Sequence, residues 1–336
     1  MNFKTSFVAA VFAFLALPLV GAEAADKPTL TVYTYQSFAS DYGPGPGLKQ
    51  GFEAQCNCTL AFVPVDSAIG ALRRIQLEGQ TTPADVLVGL DTSISGEARA
   101  TGLFAPSGLD LSGLALPQKW ADDVFVPFDW GYFAFVYDSS KVKTPPRSFE
   151  ELIAEPASFK IALEDPRSDT PGLGLLLWIK AAYGDRASEI WAGLKPHIAT
   201  MARSWDDAYG LFLKGEADMA LSYTTSPAYH AIEENKPNYA YAQFSEGHYP
   251  QIEVAAMLKS SKQPQLAKSF LAYLTSQAAQ KVIPTTNWMY PVIDLGKDLP
   301  AAFTAQPKPE KVLTLDEATI TSNRGKWIDE ALAAIK

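Results

Sequence analysis

The chain has 336 residues, 47% of them hydrophobic, with 28 Lys and Arg against 37 Asp and Glu and a formal net charge of −9. That length suits two domains or one large α/β unit. The acidic balance argues against a nucleic-acid partner, which needs a basic face, and is compatible with a cationic ligand.

The amino terminus reads as an export signal. Lys4 supplies a positive start, residues 7–20 an apolar core, and Ala22-Glu23-Ala24 an A-x-A cleavage site, so residues 1–24 are assigned to a signal peptide. The apolar run is too short for a spanning helix. No Cys follows the expected cut, so no lipid anchor is expected, and no later stretch is apolar enough to cross a bilayer. A soluble periplasmic protein is expected. Cys56 and Cys58 flank Asn57, and an oxidising compartment allows a small, tight disulfide between them. The pair makes a poor metal site, and His197, His230 and His248 match no ligand spacing, so no metal is expected.

In chain order, residues 30–35 alternate like a strand, 41–47 form a Gly/Pro turn and 48–54 a helix. A second strand over 60–65 stops at Asp66-Ser67, either of which can cap a helix carrying Ala68, Leu72 and Ile75 and ending at Gly79. A third strand over 85–90 ends at Asp91. This alternation predicts a parallel sheet, with ligand beyond the carboxyl ends of the strands, where Tyr35, Asp66, Ser67 and Asp91 fall. Residues 125–137 form an aromatic extended run too long for one small sheet, and read as a crossing into a second lobe. Ser148-Phe149-Glu150-Glu151 is a capping box. The second lobe then holds a strand over 160–163, helices around Trp191 and from Trp205 to Lys214, and a strand over 218–222. A strand over 251–257 returns to the first lobe, Leu266, Phe270 and Leu274 mark a helix, an aromatic loop covers 285–291, and a last helix ends near Ile335. The expected lobes are residues 25–130 with about 251–336, and 131–250.

The central stretch runs from Asp165 to Trp178. It is a polar turn that becomes a helix, with Thr170 as expected N-cap and Pro171 at the first helical position. Gly172 and Gly174 would let a ligand approach the backbone, and free N–H groups would point at it. Hydrolase and nucleotide signatures are absent: there is no G-x-S-x-G, H-E-x-x-H or Walker loop. Aromatic residues recur instead at strand ends and helix starts: Tyr35, Tyr42, Trp205, Tyr223, Tyr229, Trp288 and Tyr290. Aromatic faces attract cations, so a flat, cationic or heteroaromatic ligand fits them.

Several long runs carry a resemblance. They include Leu30-Thr-Val-Tyr-Thr-Tyr35, Asp41-Tyr-Gly-Pro-Gly-Pro46, Cys56-Asn-Cys58, Gly131-Tyr-Phe-Ala-Phe-Val-Tyr-Asp138, Thr170-Pro-Gly-Leu-Gly-Leu-Leu-Leu-Trp178, Leu221-Ser-Tyr-Thr-Thr-Ser-Pro-Ala-Tyr-His230 and Asn287-Trp-Met-Tyr-Pro291. Across nearly the whole mature chain the sequence resembles the thiamine-binding members of the type 2 periplasmic-binding-protein family, which serve bacterial ABC importers. The resemblance implies an α/β fold of two lobes joined by crossing hinge strands. It implies thiamine or its phosphate esters as transported ligand, no cofactor, no catalysis, an inner-membrane ABC permease and its ATPase as partners, and a monomer. Tyr35 and Trp288 would hold the rings. Trp205, Tyr223 and Tyr229 would meet the hydroxyethyl or phosphate end beside Asp169, Thr170 and Gly172, and Asp66 or Ser67 would address the aminopyrimidine edge. Tyr42, Asp91 and Asn287 complete the expected site. The chain departs from the family in having Asp66-Ser67 for an acidic pair at the aminopyrimidine edge, and in having Tyr42 for Trp and Ser168-Asp169 for Thr-Ser, which bear on the choice among thiamine esters. The alternatives are a ferric-iron carrier using Tyr223 and Tyr229, and a thiaminase-like enzyme using Cys56 or Cys58.

Overall fold

The computed structural model describes residues 27–336, so the signal peptide assigned to 1–24 lies outside the described residues. Ten strands follow in chain order: β1 Thr29–Tyr35, β2 Thr59–Val65, β3 Val86–Asp91, β4 Val126–Asp138, β5 Ile161–Glu164, β6 Ile198–Ala202, β7 Met219–Tyr223, β8 Tyr239–Tyr241, β9 Pro250–Met257 and β10 Tyr290–Pro291. Their order is β2-β1-β3-β9-β4-β7-β5-β6, with β8 and β10 both on β4. As the strand–helix alternation predicts, β1 pairs in parallel with β2 and β3. The connecting helices, Gly45–Cys56 and Ala68–Glu78, turn Leu48, Phe52, Leu72 and Ile75 into the core.

β4 is the crossing expected from its length. Its 13 residues reach about 43 Å at 3.3 Å per residue. Val126 to Tyr132 lie against β9, whereas Phe133 to Tyr137 lie against β7, so one strand belongs to two sheets. β9 brings the chain back and fits between β3 and β4, antiparallel to both.

The expected lobe boundaries fall on these two strands, and we propose them as the lobes with one exception. The carboxyl-terminal segment does not stay with the first lobe. Tyr241 donates to the Pro307 carbonyl, and His248 N–H to the Lys311 carbonyl at 2.9 Å. The last helix, Glu317–Ala334, lies against the helix Ser95–Ala100 on one side and against Thr170–Tyr183 and Ala187–Leu194 on the other, burying Ile320, Trp327 and Ala331.

Three local expectations also change. The helix expected over 48–54 begins at Gly45, because Pro46 fits its first turn. β6 was not expected, being a half-exposed edge strand without alternation. The helix Ser226–Ile232 hides in a stretch that reads as a turn, since Pro227 sits in its first turn. Cys56 and Cys58 form a disulfide. Among the described residues no helix is long and apolar enough to cross a membrane.

Candidate functional site

A cavity of about 670 Å³ opens between the two sheets. Its walls are the carboxyl ends of β1 and β7, the first residues of the helices Thr170–Tyr183, Trp205–Lys214 and Ser226–Ile232, and the loop 285–289. Of the expected site residues, Tyr35, Tyr42, Asp66, Asp169, Thr170, Trp205, Tyr223, Tyr229, Asn287 and Trp288 line it.

Ser67, Asp91 and Gly172 do not. Ser67 is the N-cap of Ala68–Glu78, accepting Gly70 N–H at 3.0 Å, and its hydroxyl donates across the cleft to the Ser168 carbonyl. Asp91 is buried and engaged by Ser93 N–H at 2.9 Å. A Cβ on Gly172 would stand 2.3 Å from the Glu164 carbonyl oxygen, and one on Gly174 would strike the Phe133 ring. These glycines let the helix approach strands, not a ligand. Thr170 is not the N-cap either. The chain is still extended at Asp169, whose carboxylate accepts Thr170 N–H at 3.1 Å, and whose carbonyl takes the first helical bond from Leu173. The positive end of that helix is therefore already met by a carboxylate.

The aromatic residues are held in fixed poses. β3 bulges at Gly89, φ +105°, and a Cβ there would be 2.3 Å from the Tyr35 ring, so the bulge seats that ring against the backbone. Trp288 stands in the left-handed region at φ +56°, which is rare for a bulky side chain, and packs edge-on to Tyr229 at 5.2 Å. Trp205 stacks on Tyr209 at 4.8 Å and donates Nε1–H to Ser222 Oγ at 3.0 Å. Behind it, the Tyr209 hydroxyl meets His230 Nε2 at 2.8 Å. Tyr223 donates its hydroxyl to Gln251 Oε1 at 2.9 Å. Tyr42 is 61% exposed and reaches over the cleft to donate to Asp206 Oδ1 at 3.1 Å.

The electrostatics have one sign. Six carboxylates line the cavity (Asp66, Asp169, Asp206, Glu233, Glu234 and Glu253), and no Lys, Arg or His side chain does. Arg167 turns outward and grips Asp165, with Nε 2.9 Å from Oδ1. Asp91, Asp129 and Glu164 are buried, and Asp91 Oδ2, Asp129 Oδ1 and both Glu164 oxygens have no hydrogen-bond partner. Burial pushes Asp91 and Asp169 up to about 7 and Asp129 up to about 8. Burial, with neighbouring carboxylates, holds Glu253 well above the carboxylate range. Such a lining, with no basic side chain in it, disfavours anions.

Sequence reasoning missed Glu253, Asp129, Asp206 and Gly89. A signal existed for three of them. Glu253 and Asp129 interrupt largely apolar strands, where an unpaired charge is costly, and Gly89 breaks a strand of large aliphatic residues. Asp206 looks like an ordinary first-turn acid.

The family model for bacterial extracellular solute-binding proteins matches residues 29–281. The chain is similar to the thiamine-binding periplasmic protein of Salmonella typhimurium, at 51% identity over 95% of this chain and 97% of that one. It is similar to the protein of the same name from Brucella suis at 48%, over 96% and 97%. A solved periplasmic thiamin binding protein superposes with a TM-score of 0.90 at 51% identity, covering 92% of this chain and 97% of that one.

Proposed function

The chain belongs to the bacterial extracellular solute-binding proteins, and on that premise we propose that it captures thiamine in the periplasm and delivers it to an inner-membrane ABC permease and its ATPase. Its two-lobed α/β architecture is the type 2 periplasmic-binding-protein fold. The observation that carries the ligand is the cleft itself: flat aromatic faces around six carboxylates with no lining cation. Thiamine carries two flat aromatic rings joined by a methylene bridge, with a fixed positive charge on its thiazolium. Tyr35 and Trp288 hold the rings, Trp205, Tyr223 and Tyr229 meet the hydroxyethyl end, and Asp66 takes the aminopyrimidine edge. Tyr42 closes the mouth through Asp206.

The protein acts by binding and closure, without catalysis. Cys56 and Cys58 are disulfide-bonded and precede β2, at the end of the parallel strands opposite Tyr35. A thiaminase-like thiol attack in the cleft has no nucleophile there. The described residues contain no group of three or more His, Cys, Asp or Glu side chains arranged to hold a metal ion.

Calorimetry of the mature protein with thiamine, its monophosphate and its diphosphate tests the reading. Thiamine should bind tightly and return chemically intact, with the monophosphate weaker. Failure of thiamine to bind, or normal high-affinity uptake in a strain lacking the gene and any second carrier, would remove it.

A further inference from the structure

Two carboxylates lie directly opposite each other where the crossing strands meet. Asp129 of β4 is the ladder partner of Glu253 of β9, and the two are 0% and 6% exposed. Like charges in that position repel. The surrounding hydrogen bonds indicate how the repulsion is relieved. The Tyr35 hydroxyl lies 2.9 Å from Glu253 Oε2 and 3.2 Å from Asn287 Oδ1. It has one proton and cannot serve two acceptors. Both contacts are satisfied when Glu253 carries a proton and donates to the Tyr35 oxygen while Tyr35 donates to Asn287. Asn287 Nδ2 in turn donates to Asp129 Oδ2 at 2.5 Å. When Glu253 ionises, Tyr35 swings its proton to Oε2, and Gln251 Nε2 already donates to Oε1 at 3.0 Å. The same network thus accommodates either charge state by rotating one hydroxyl.

We propose that the Asp129–Glu253 pair is the charge-selecting element of the cleft, holding a proton while the cleft is empty and releasing it to solvent when a cationic ring docks beside Glu253. The inference rests on the thiamine reading. One proton leaves the site and one fixed positive charge enters, so the floor keeps its net charge. A neutral ring of the same shape offers no such exchange and leaves the proton in place.

The groups facing the pair are Tyr35 from β1, Asp91 from β3, Tyr223 from β7 and Asp169 from the helix Thr170–Tyr183. All are acids, and none offsets a second negative charge. Burial raises both members of the pair, and the neighbouring carboxylates raise Glu253 further. Thiamine affinity should therefore rise with pH between about 6 and 8, by up to ~10-fold per unit if one full proton is released.

Calorimetry of the wild-type protein with thiamine at pH 7, in phosphate and in Tris, reads the proton directly. The two buffers differ in ionisation enthalpy, so their apparent binding heats should differ by roughly half to one proton's worth. Glu253→Gln should abolish that difference and narrow the preference for thiamine over a neutral thiophene isostere by about 10-fold or more. Asp129→Asn, which removes the repulsion, should lower proton release at pH 7 and tighten thiamine binding at pH 6. Equal heats in the two buffers with thiamine bound tightly would overturn the inference and leave the proposed function standing. No thiamine binding in either buffer would overturn the function on which it rests. Equal wild-type heats overturn the inference even where a variant fails to fold.

Discussion

Replacing Asp169 by Ser should change which thiamine ester the cleft accepts, by an amount that depends on pH. The helix Thr170–Tyr183 would welcome a phosphate at its amino end, but the Asp169 carboxylate already occupies that end as its cap. Arg167 gives no help, being turned outward onto Asp165. A phosphate about 6 Å from an ionised Asp169 meets about 2.8 kcal/mol of repulsion at an effective dielectric of 20, and about 0.7 in bulk water. Asp169 has another course, because burial holds its pKa at about 7 and it can take up a proton instead. Keeping it neutral costs RT ln 2, about 0.4 kcal/mol at pH 7, and RT ln 101, about 2.7 kcal/mol at pH 9. The cheaper course governs. The ratio of thiamine to monophosphate affinity should thus be raised by Asp169 about 2-fold at pH 7 and up to ~100-fold at pH 9. Taking the ratio cancels groups that titrate alike with both ligands. Calorimetry at pH 7, 8 and 9 should show that ratio climbing in the wild type and much flatter in Asp169→Ser. Parallel curves for the two proteins would mean that Asp169 does not face the phosphate end.

Three further outcomes follow from the geometry of the aromatic residues. Trp288→Ala and Trp288→Gly should each weaken thiamine about 30- to 1,000-fold by titration, from lost stacking and cation attraction. In thermal melts the Gly variant should be the more stable by about 1 kcal/mol, because only it relaxes the left-handed backbone at φ +56°. Gly89→Ala should cost about 1–3 kcal/mol of stability and displace the Tyr35 ring, lowering thiamine affinity with it; an affinity equal to wild type would show that Tyr35 is not a ring contact. Tyr42→Phe removes the bond across the mouth to Asp206 and should speed thiamine release up to ~10-fold in stopped-flow, with little effect on association.

The scaffold was legible because its signals are local. The strand pattern of residues 30–35, the helix cap at Asp66-Ser67 and the helix stop at Gly79 each act over a few residues, and the structure has a strand, a cap at Ser67 and a helix end there. The cleft aromatics were legible for a related reason: large rings at strand ends and helix starts have no place in a core. What escaped depended on partners distant in sequence. Glu253 gains its meaning only from Asp129, 124 positions earlier, across a ladder that sequence alone does not register. Gly172 reads in the sequence as room for a ligand, whereas the space is filled by β5. Thr170 and Asp169 compete for one capping position, and propensity does not separate them. The path of the terminal helix over both lobes is fixed by where Ile320 and Trp327 find apolar neighbours, which is a tertiary matter.

The buried acids around the cleft make the stability of the fold depend on pH, with a definite sign. Asp91, Asp169 and Asp129 titrate near 7, 7 and 8 in the fold, against about 4 for an unfolded Asp, and Glu253 and Glu164 are raised in the same direction. A group with a raised folded pKa contributes stability that is fully present below its unfolded value and is lost as pH rises through the folded one. The ligand-free protein should therefore lose stability between about pH 6.5 and 8.5, above the range in which His248, held by burial at about 4, and His230, lowered by burial as well, act in the opposite sense. The carboxylates that the fold holds low, such as Glu53, Glu78 and Asp138, act in the opposite sense, but below about pH 4, outside that window. A bound cation stabilises the ionised forms, so saturating thiamine should raise the melting temperature more at pH 8 than at pH 6. Since Asp129 and Glu253 sit on the two strands that join the lobes, that stabilisation acts at the hinge itself. Scanning calorimetry from pH 5 to 8.5, with and without thiamine, gives two curves that should diverge with pH. Curves that stay parallel would show that the buried acids are compensated by something other than the ligand.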